Sequence, residues 1–318
     1  MSFSLDPEVA ATLAEIARHN GPLPPAPPIG DIEGRRGALN AMLTWANNIA
    51  QPVAEEVETS DHQLSVPGGA TILARWYRLP SSDSHAAVVY LHGGGMILGS
   101  VPIFDGPVSR YVASTGVPML SIDYRLAPEH PYPTPVEDAY AGLVWLASHA
   151  AELDVDPNRI AVMGDSAGGG LAAAVAILCR DRGGPTLARQ ILLYPMLDDR
   201  TVTSDPEIAP FAAWTYDDNI TGWNALLGER ASDSSVEPTA APSRLTDAVG
   251  LPPAYIEVGQ LDIFRDEDIS YALTLSRAGV PVEFHLHPGV PHEYDAIAFN
   301  ADVSRRALAD RHRVLKSI

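Results

Sequence analysis

The chain reads as an α/β protein built on a mostly parallel, eight-stranded sheet with helices on both faces. Two observations predict this. Short, near-continuous apolar runs such as Ala87–Leu91 and Ile160–Met163 alternate with helix-length segments, the pattern of strands covered on both sides. Hydrophobic residues make up 46% of the 318 and charged ones 19%, enough for one large core, and no repeat or low-complexity block interrupts it.

The elements follow in order. Asp6-Pro7 opens a helix reaching His19, with Val9, Leu13 and Ile16 at helical spacing. Gly21–Pro28 is a stiff extended link, and a second helical stretch covers about Asp31 to Ile49. Strands are expected at Val53–Glu58, Ile72–Arg78, Ala87–Leu91, Met119–Asp123, Ile160–Met163, Gln190–Tyr194, Ala254–Val258 and Val282–His287. Helices are expected at Phe104–Ser114, Val136–Ala150, Ala167–Asp181, Asp266–Ala278 and Ala296–Leu315. One segment breaks the alternation. From Asp198 to about Ser243 the chain carries Phe211, Trp214, Tyr216 and Trp223 among prolines and acids, and is longer than an ordinary connection. An insertion where such sheets bind ligands reads as a lid, with those aromatics either lining a substrate pocket or forming the lid's own small core.

Charge and composition exclude several partners. Acidic residues number 40 against 21 basic ones, giving a net charge of −19, and Lys316 is the only lysine. Such a surface repels nucleic acid and anionic membranes and suits a neutral or cationic small molecule. The longest apolar run, Leu171–Leu178, is too short to span a bilayer. A lone Cys179 forms no internal disulfide, and Met1–Pro7 has neither a basic head nor an apolar run, so a cytoplasmic location is expected.

The chemistry is concentrated in two glycine-rich turns. Ile160–Met163 runs into Gly164-Asp165-Ser166-Ala167-Gly168 and then into a helix of small residues, the strand–turn–helix setting of a nucleophile elbow. A serine standing clear at a strand end needs a strained backbone, and the helix that starts beside it aims free N–H groups at any negative charge developing there. Upstream, the strand Ala87–Leu91 ends in His92-Gly93-Gly94-Gly95, bare backbone that a ligand can approach closely. A dinucleotide fingerprint does not fit, because Ser166 stands where its middle glycine would be; no P-loop lysine is present either.

A serine hydroxyl needs a base to take its proton and a third group to hold that base. Of the four histidines after Ser166, His312 lies on the terminal helix and His285 and His287 on one strand face. His292 follows Pro288-Gly289-Val290-Pro291, a loop able to lean over the sheet. Asp262, in the loop after Ala254–Val258, is placed to reach it; Glu257, on the strand itself, is the second candidate. Asp266 and Asp268 read as first-turn acids of the next helix.

Together with Asp123-Tyr124-Arg125-Leu126-Ala127-Pro128-Glu129-His130-Pro131-Tyr132-Pro133, these motifs resemble the bacterial hormone-sensitive-lipase-like carboxylesterases, a branch of the α/β-hydrolases, over nearly the whole chain. The resemblance implies one domain with a cap from about 1–50 and 198–243. It implies Ser166 as nucleophile, His292 as base and Asp262 as orienting acid. It places the oxyanion on Ala167 and two of Gly93, Gly94 and Gly95, in the first instance Gly94 and Gly95. No metal or organic cofactor is called for. Short-chain esters are the expected substrates, with Phe211, Trp214, Tyr216 and Trp223 roofing the acyl pocket; amide hydrolysis on the same triad and a non-catalytic binding protein are the alternatives. Pairing of the edge strand 282–287 with a second copy is also suggested. The chain departs from the family where Glu293-Tyr294-Asp295 replaces the frequent Gly-Phe, putting two acids near the expected mouth, and where Met96 replaces an aromatic.

Overall fold

Eight strands form one sheet: β1 (Glu58–Ser65), β2 (Thr71–Arg78), β3 (Ala87–Leu91), β4 (Met119–Ile122), β5 (Ile160–Asp165), β6 (Arg189–Leu193), β7 (Ala254–Gly259) and β8 (Val282–His287). The computed structural model describes residues 3–20 and 26–318, so Gly21–Pro25 of the expected link lies outside the described residues. Strand order is β1-β2-β4-β3-β5-β6-β7-β8, with β1–β2 and β2–β4 antiparallel and every other pair parallel. Every residue of β3, β5 and β7 is buried, which is why their sequences are apolar without alternation.

The helices are α1 (Pro7–Asn20), α2 (Ile32–Thr44), α3 (Asp105–Thr115), α4 (Thr134–Ser148), α5 (Ala167–Arg182), α6 (Tyr216–Leu227), α7 (Arg265–Arg277), α8 (Tyr294–Ile297) and α9 (Asp302–Lys316). Asp6 caps α1 by accepting from the Glu8 N–H at 2.9 Å. α4 packs on α5, and α3 on α9. Among the described residues no helix is long and apolar enough to cross a membrane.

Two expected elements are corrected. The strand expected at Val53–Glu58 is irregular, and β1 begins at Glu58. β1 is an outer strand in which only Leu64 is buried, so its polar sequence carried no strand signal. The terminal helix expected from Ala296 to Leu315 is two helices, α8 and α9, with the chain breaking between Ala298 and Ala301. The α9 N-terminus is capped from a distance, the Asp302 N–H donating to Glu8 of α1 at 2.5 Å.

The N-terminal helices and the insertion meet. Fully buried Arg35 on α2 pairs with Asp218 on α6 at 2.8 Å, and the Gly30 N–H donates to Thr221 Oγ1 at 3.0 Å. Thr215 and Asp218 close a reciprocal capping box at the start of α6. Arg36, one residue on, donates to the Ile97 carbonyl at 2.7 Å and grips Glu129 at 2.7 and 2.8 Å. The N-terminal helices are thus bolted both to the insertion and to the loop that follows the three glycines.

A second buried cation sits below the sheet's C-terminal end. Arg311 of α9 is 1% exposed and pairs with Glu257 of β7 and Asp295 of α8, while donating to Tyr111 Oη at 2.8 Å. Removing one member of such a buried group strands the others without compensation. Arg311→Met is therefore expected to lower unfolding free energy by about 3–5 kcal/mol, measured by urea denaturation. A loss under about 1 kcal/mol would show that the two carboxylates find other partners.

Candidate active site

The elbow is built by close approach. A Cβ on Gly164 would lie 2.2 Å from the Gly168 carbonyl oxygen, and one on Gly168 would lie 2.0 Å from that of Leu91, so no larger residue fits either position. Between them Ser166 takes φ 54°, ψ −121°, a region that costs a non-glycine residue energy and persists only when surroundings impose it. The imposition is visible: the Ser166 N–H donates to Leu193 at 2.8 Å, and its carbonyl accepts from Met196 at 2.9 Å.

His292, on the loop after β8, meets Ser166 Oγ through Nε2 at 2.9 Å and Asp262 Oδ2 through Nδ1 at 2.6 Å. With its Nδ1–H given to the carboxylate, Nε2 is left to accept from the serine hydroxyl. Asp262 is held in turn by the Phe264 N–H, 2.9 Å from Oδ1. Tyr194 and Phe264 stand edge-on to the imidazole, with centroids at 4.9 and 5.0 Å. All three triad-like residues are buried, Ser166 and His292 being each 2% exposed. Burial alone would lower the His292 pKa, but the carboxylates of Asp262, Glu293 and Asp165 together outweigh it, and the net shift is upward.

The other candidates fall elsewhere. Glu257 is taken up by Arg311 and by the hydroxyls of Tyr255 and Tyr294. Asp266 is exposed beside Arg265, as a first-turn acid should be; Asp268 is not, being fully buried with neither carboxyl oxygen hydrogen-bonded, which holds its pKa well above the carboxylate range. His285 pairs with Glu283 at 2.8 Å, His287 packs against Tyr294, and His312 meets Tyr111 edge-on.

Of the glycines, Gly93 is corrected. Its N–H donates to Asp165 Oδ2 at 3.1 Å and is not free for a substrate oxygen. The N–H groups of Gly94, Gly95 and Ala167 have no acceptor among the described residues, so this turn and the start of α5 offer three donors. Asp165, the variable position of the elbow motif, carries no functional signal of its own in the sequence. It accepts also from Tyr90 Oη at 2.6 Å and so locks the glycine turn to the elbow; burial foremost lifts its pKa to about 7.

A cavity of about 310 Å³ has Asp165, Tyr194 and Glu293, the neighbours of Ser166 and His292, at its inner end and side chains of α3, α9 and the turn after α2 along the rest of its wall. Neither Ser166 and His292 themselves nor Phe211, Trp214, Tyr216 and Trp223 line it. Trp223 is 1% exposed, in the core of the insertion, and Trp214 lies so close over Gly95 that a Cβ there would be 2.4 Å from its ring. Of the two acids after His292, Asp295 faces inward, clamped by Arg311, which holds its pKa low despite burial, whereas Glu293 is partly exposed and borders the cavity. The cue was available in Glu293-Tyr294-Asp295, but their direction depends on how the loop leaves His292.

A strained elbow serine, a histidine between its hydroxyl and a buried carboxylate, and three free N–H donors define a serine hydrolase that works by acyl transfer. The chain belongs to the α/β-hydrolase fold family, whose pattern it matches over residues 88–296. It is 40% identical over 259 residues to the esterase LipI of Mycobacterium tuberculosis, covering 77% of each chain. It is 30% identical over 301 residues, 92% of each chain, to an ethyl acetate hydrolase of Pseudomonas putida. Among solved structures it resembles a bacterial heroin esterase, with a TM-score of 0.88 and 34% identity over 99% of this chain and 98% of the other.

Only the neutral imidazole can take the serine proton, so activity should rise with pH as His292 deprotonates. The acid limb of kcat/KM is expected to be centred above the ordinary histidine value of about 6.5, since the net shift of His292 is upward. A pH–rate profile on a slowly acylating ester checks this; a limb centred well below 6 would mean that burial outweighs those carboxylates.

Proposed function

We propose that this serine carboxylesterase hydrolyses small, short-chain acyl esters through an acyl-enzyme on Ser166. The observation that carries the reading is His292 bridging Ser166 Oγ and Asp262 at 2.9 and 2.6 Å. In the forward step His292 Nε2 removes the hydroxyl proton as Oγ attacks the ester carbonyl. The resulting oxyanion takes hydrogen bonds from Gly94, Gly95 and Ala167. Asp262 keeps the imidazole in the useful tautomer and offsets its charge once protonated. Nε2–H then protonates the departing alkoxide, leaving the acyl group on Oγ. Water, deprotonated by the same nitrogen, attacks the acyl carbon, and Nε2–H returns the proton to Ser166 Oγ as the C–Oγ bond breaks and the acid leaves.

Ester rather than amide cleavage is supported by the relatives, which carry the names esterase, carboxylesterase and ethyl acetate hydrolase. Short chains are favoured by the size of the cavity, about 310 Å³, at the lower end for ligand pockets. A cytoplasmic setting is supported by the single free, buried Cys179. Among the described residues β8 has β7 as its one neighbour and leaves Leu286 41% exposed, which supports pairing with a second copy across a two-fold axis.

Ser166→Ala should lower kcat by about 10⁶-fold, and Asp262→Asn by about 10⁴-fold, with folding retained. Labelling with an organophosphate followed by peptide mass spectrometry should find Ser166 modified; another labelled serine would overturn the assignment. Across p-nitrophenyl esters, kcat/KM should rise by a factor of about four per added methylene while the arm fits, then fall. Best turnover on emulsified long-chain triglyceride would contradict the esterase reading.

A further inference from the structure

Glu293 is expensive to keep. It follows His292 in a left-handed backbone conformation, φ 53°, where glycine is the easy choice. Its side chain is partly exposed and has no hydrogen-bond partner among the described residues, and the desolvation it does suffer raises its pKa. His292 is the one cation close enough to favour its charged form, whereas Asp295 and Asp262 oppose it. The side chain borders the inner end of the cavity. A strained, unpartnered acid at that place is explained when the cavity's occupant supplies the missing partner.

The rest of the lining narrows the partner's chemistry. Asp165 shares the inner end, but Tyr90 and Gly93 already occupy its two oxygens, so it contributes field rather than an open acceptor. Tyr90, Phe104, Tyr111 and Tyr194 present aromatic surface to the same space. Aromatic faces beside a carboxylate attract a cation by the ring quadrupole and by charge together. The lining cations do not fill that role. Arg311 is matched by Glu257 and Asp295, and Arg110 is held on α3 by the carbonyls of Asn47, Gln51 and Pro52. A chain with a net charge of −19 draws cations toward any opening it offers.

We propose that this cavity receives an ester arm bearing an ammonium group, tertiary or quaternary, and that Glu293 is its counter-ion. The proposal rests on the acyl-enzyme reading above and names a substrate class for it. Glu293 is then a specificity residue: it rewards a charged arm and leaves its own carboxyl unpaired against an alkyl one.

Shape-matched ester pairs test this. One pair carries the charge on the alcohol arm, choline butyrate against 3,3-dimethylbutyl butyrate. The other carries it on the acyl arm, ethyl 4-(trimethylammonio)butyrate against ethyl 5,5-dimethylhexanoate. In the wild type, kcat/KM should favour the charged member of one pair by about tenfold or more. Glu293→Gln and Glu293→Gly should both bring that ratio close to one; the glycine variant relieves the backbone strain and so secures folding. Because the readout is a ratio, any loss common to both esters cancels. An unchanged ratio in the variants overturns the proposal, as does a wild type preferring the alkyl member in both pairs. If Glu293 serves only to tune His292, its removal shifts the pH–rate limb of both esters together and leaves the ratio alone, which also overturns it. Loss of organophosphate labelling at Ser166 in the wild type would be a failure of the acyl-enzyme reading itself, and the two are told apart by that label.

Discussion

Everything in this site hangs on a serine held where serine does not want to be. The φ 54° conformation of Ser166 lifts its hydroxyl off the strand end, and two glycines without room for a Cβ allow the chain to double back there. The same turn begins α5, so the nucleophile and a helix N-terminus are products of one bend. Asp165, the residue just before the serine, spends both carboxyl oxygens on Tyr90 and on the glycine turn. Strain, donor array and oxyanion loop are therefore one mechanical unit. Outliers gather around it: Met96, Ser166, Tyr194 and Glu293 all have positive φ and all stand next to the reacting groups.

The parallel half of the fold was legible because its strands are buried on both faces and announce themselves as apolar runs. β1 was not, since an outer strand with seven of its eight residues at least partly exposed looks like any polar loop. The break between α8 and α9 was hidden for a different reason. The expected helix runs straight through it, and what fixes the start of the second helix is tertiary, Glu8 accepting from the Asp302 N–H almost the whole chain away. Of the site, Ser166, Asp262, His292 and the glycine turn were readable from motif and chain order, and the structure brings them into hydrogen-bonding distance. Which N–H groups remain free was not readable, because Gly93 looks like its neighbours until Asp165 is placed beside it.

The insertion shows the limit of composition as a guide. Its four aromatics read equally as a pocket lining or as a small core of their own, and of them Trp223 is buried, with an indole N–H that finds no partner among the described residues. The cavity beside the triad is walled by α3, α9 and the loop carrying His292, with buried Arg311 bracing that loop through Asp295. Recognition and support therefore share one wall, and a side chain changed on α9 acts on both.

The Arg35–Asp218 pair joins residues 183 positions apart. At translation rates of roughly 5–20 residues per second, α2 emerges about 10–40 s before its partner on α6. During that interval α2 has no mate, although β3, β5 and the elbow that follows β5 have already been made. Asp262 and His292 lie further along the chain than Asp218. The serine is therefore made first, the partner of α2 second and the base that activates the serine last, so reactivity in this protein belongs to the finished chain alone.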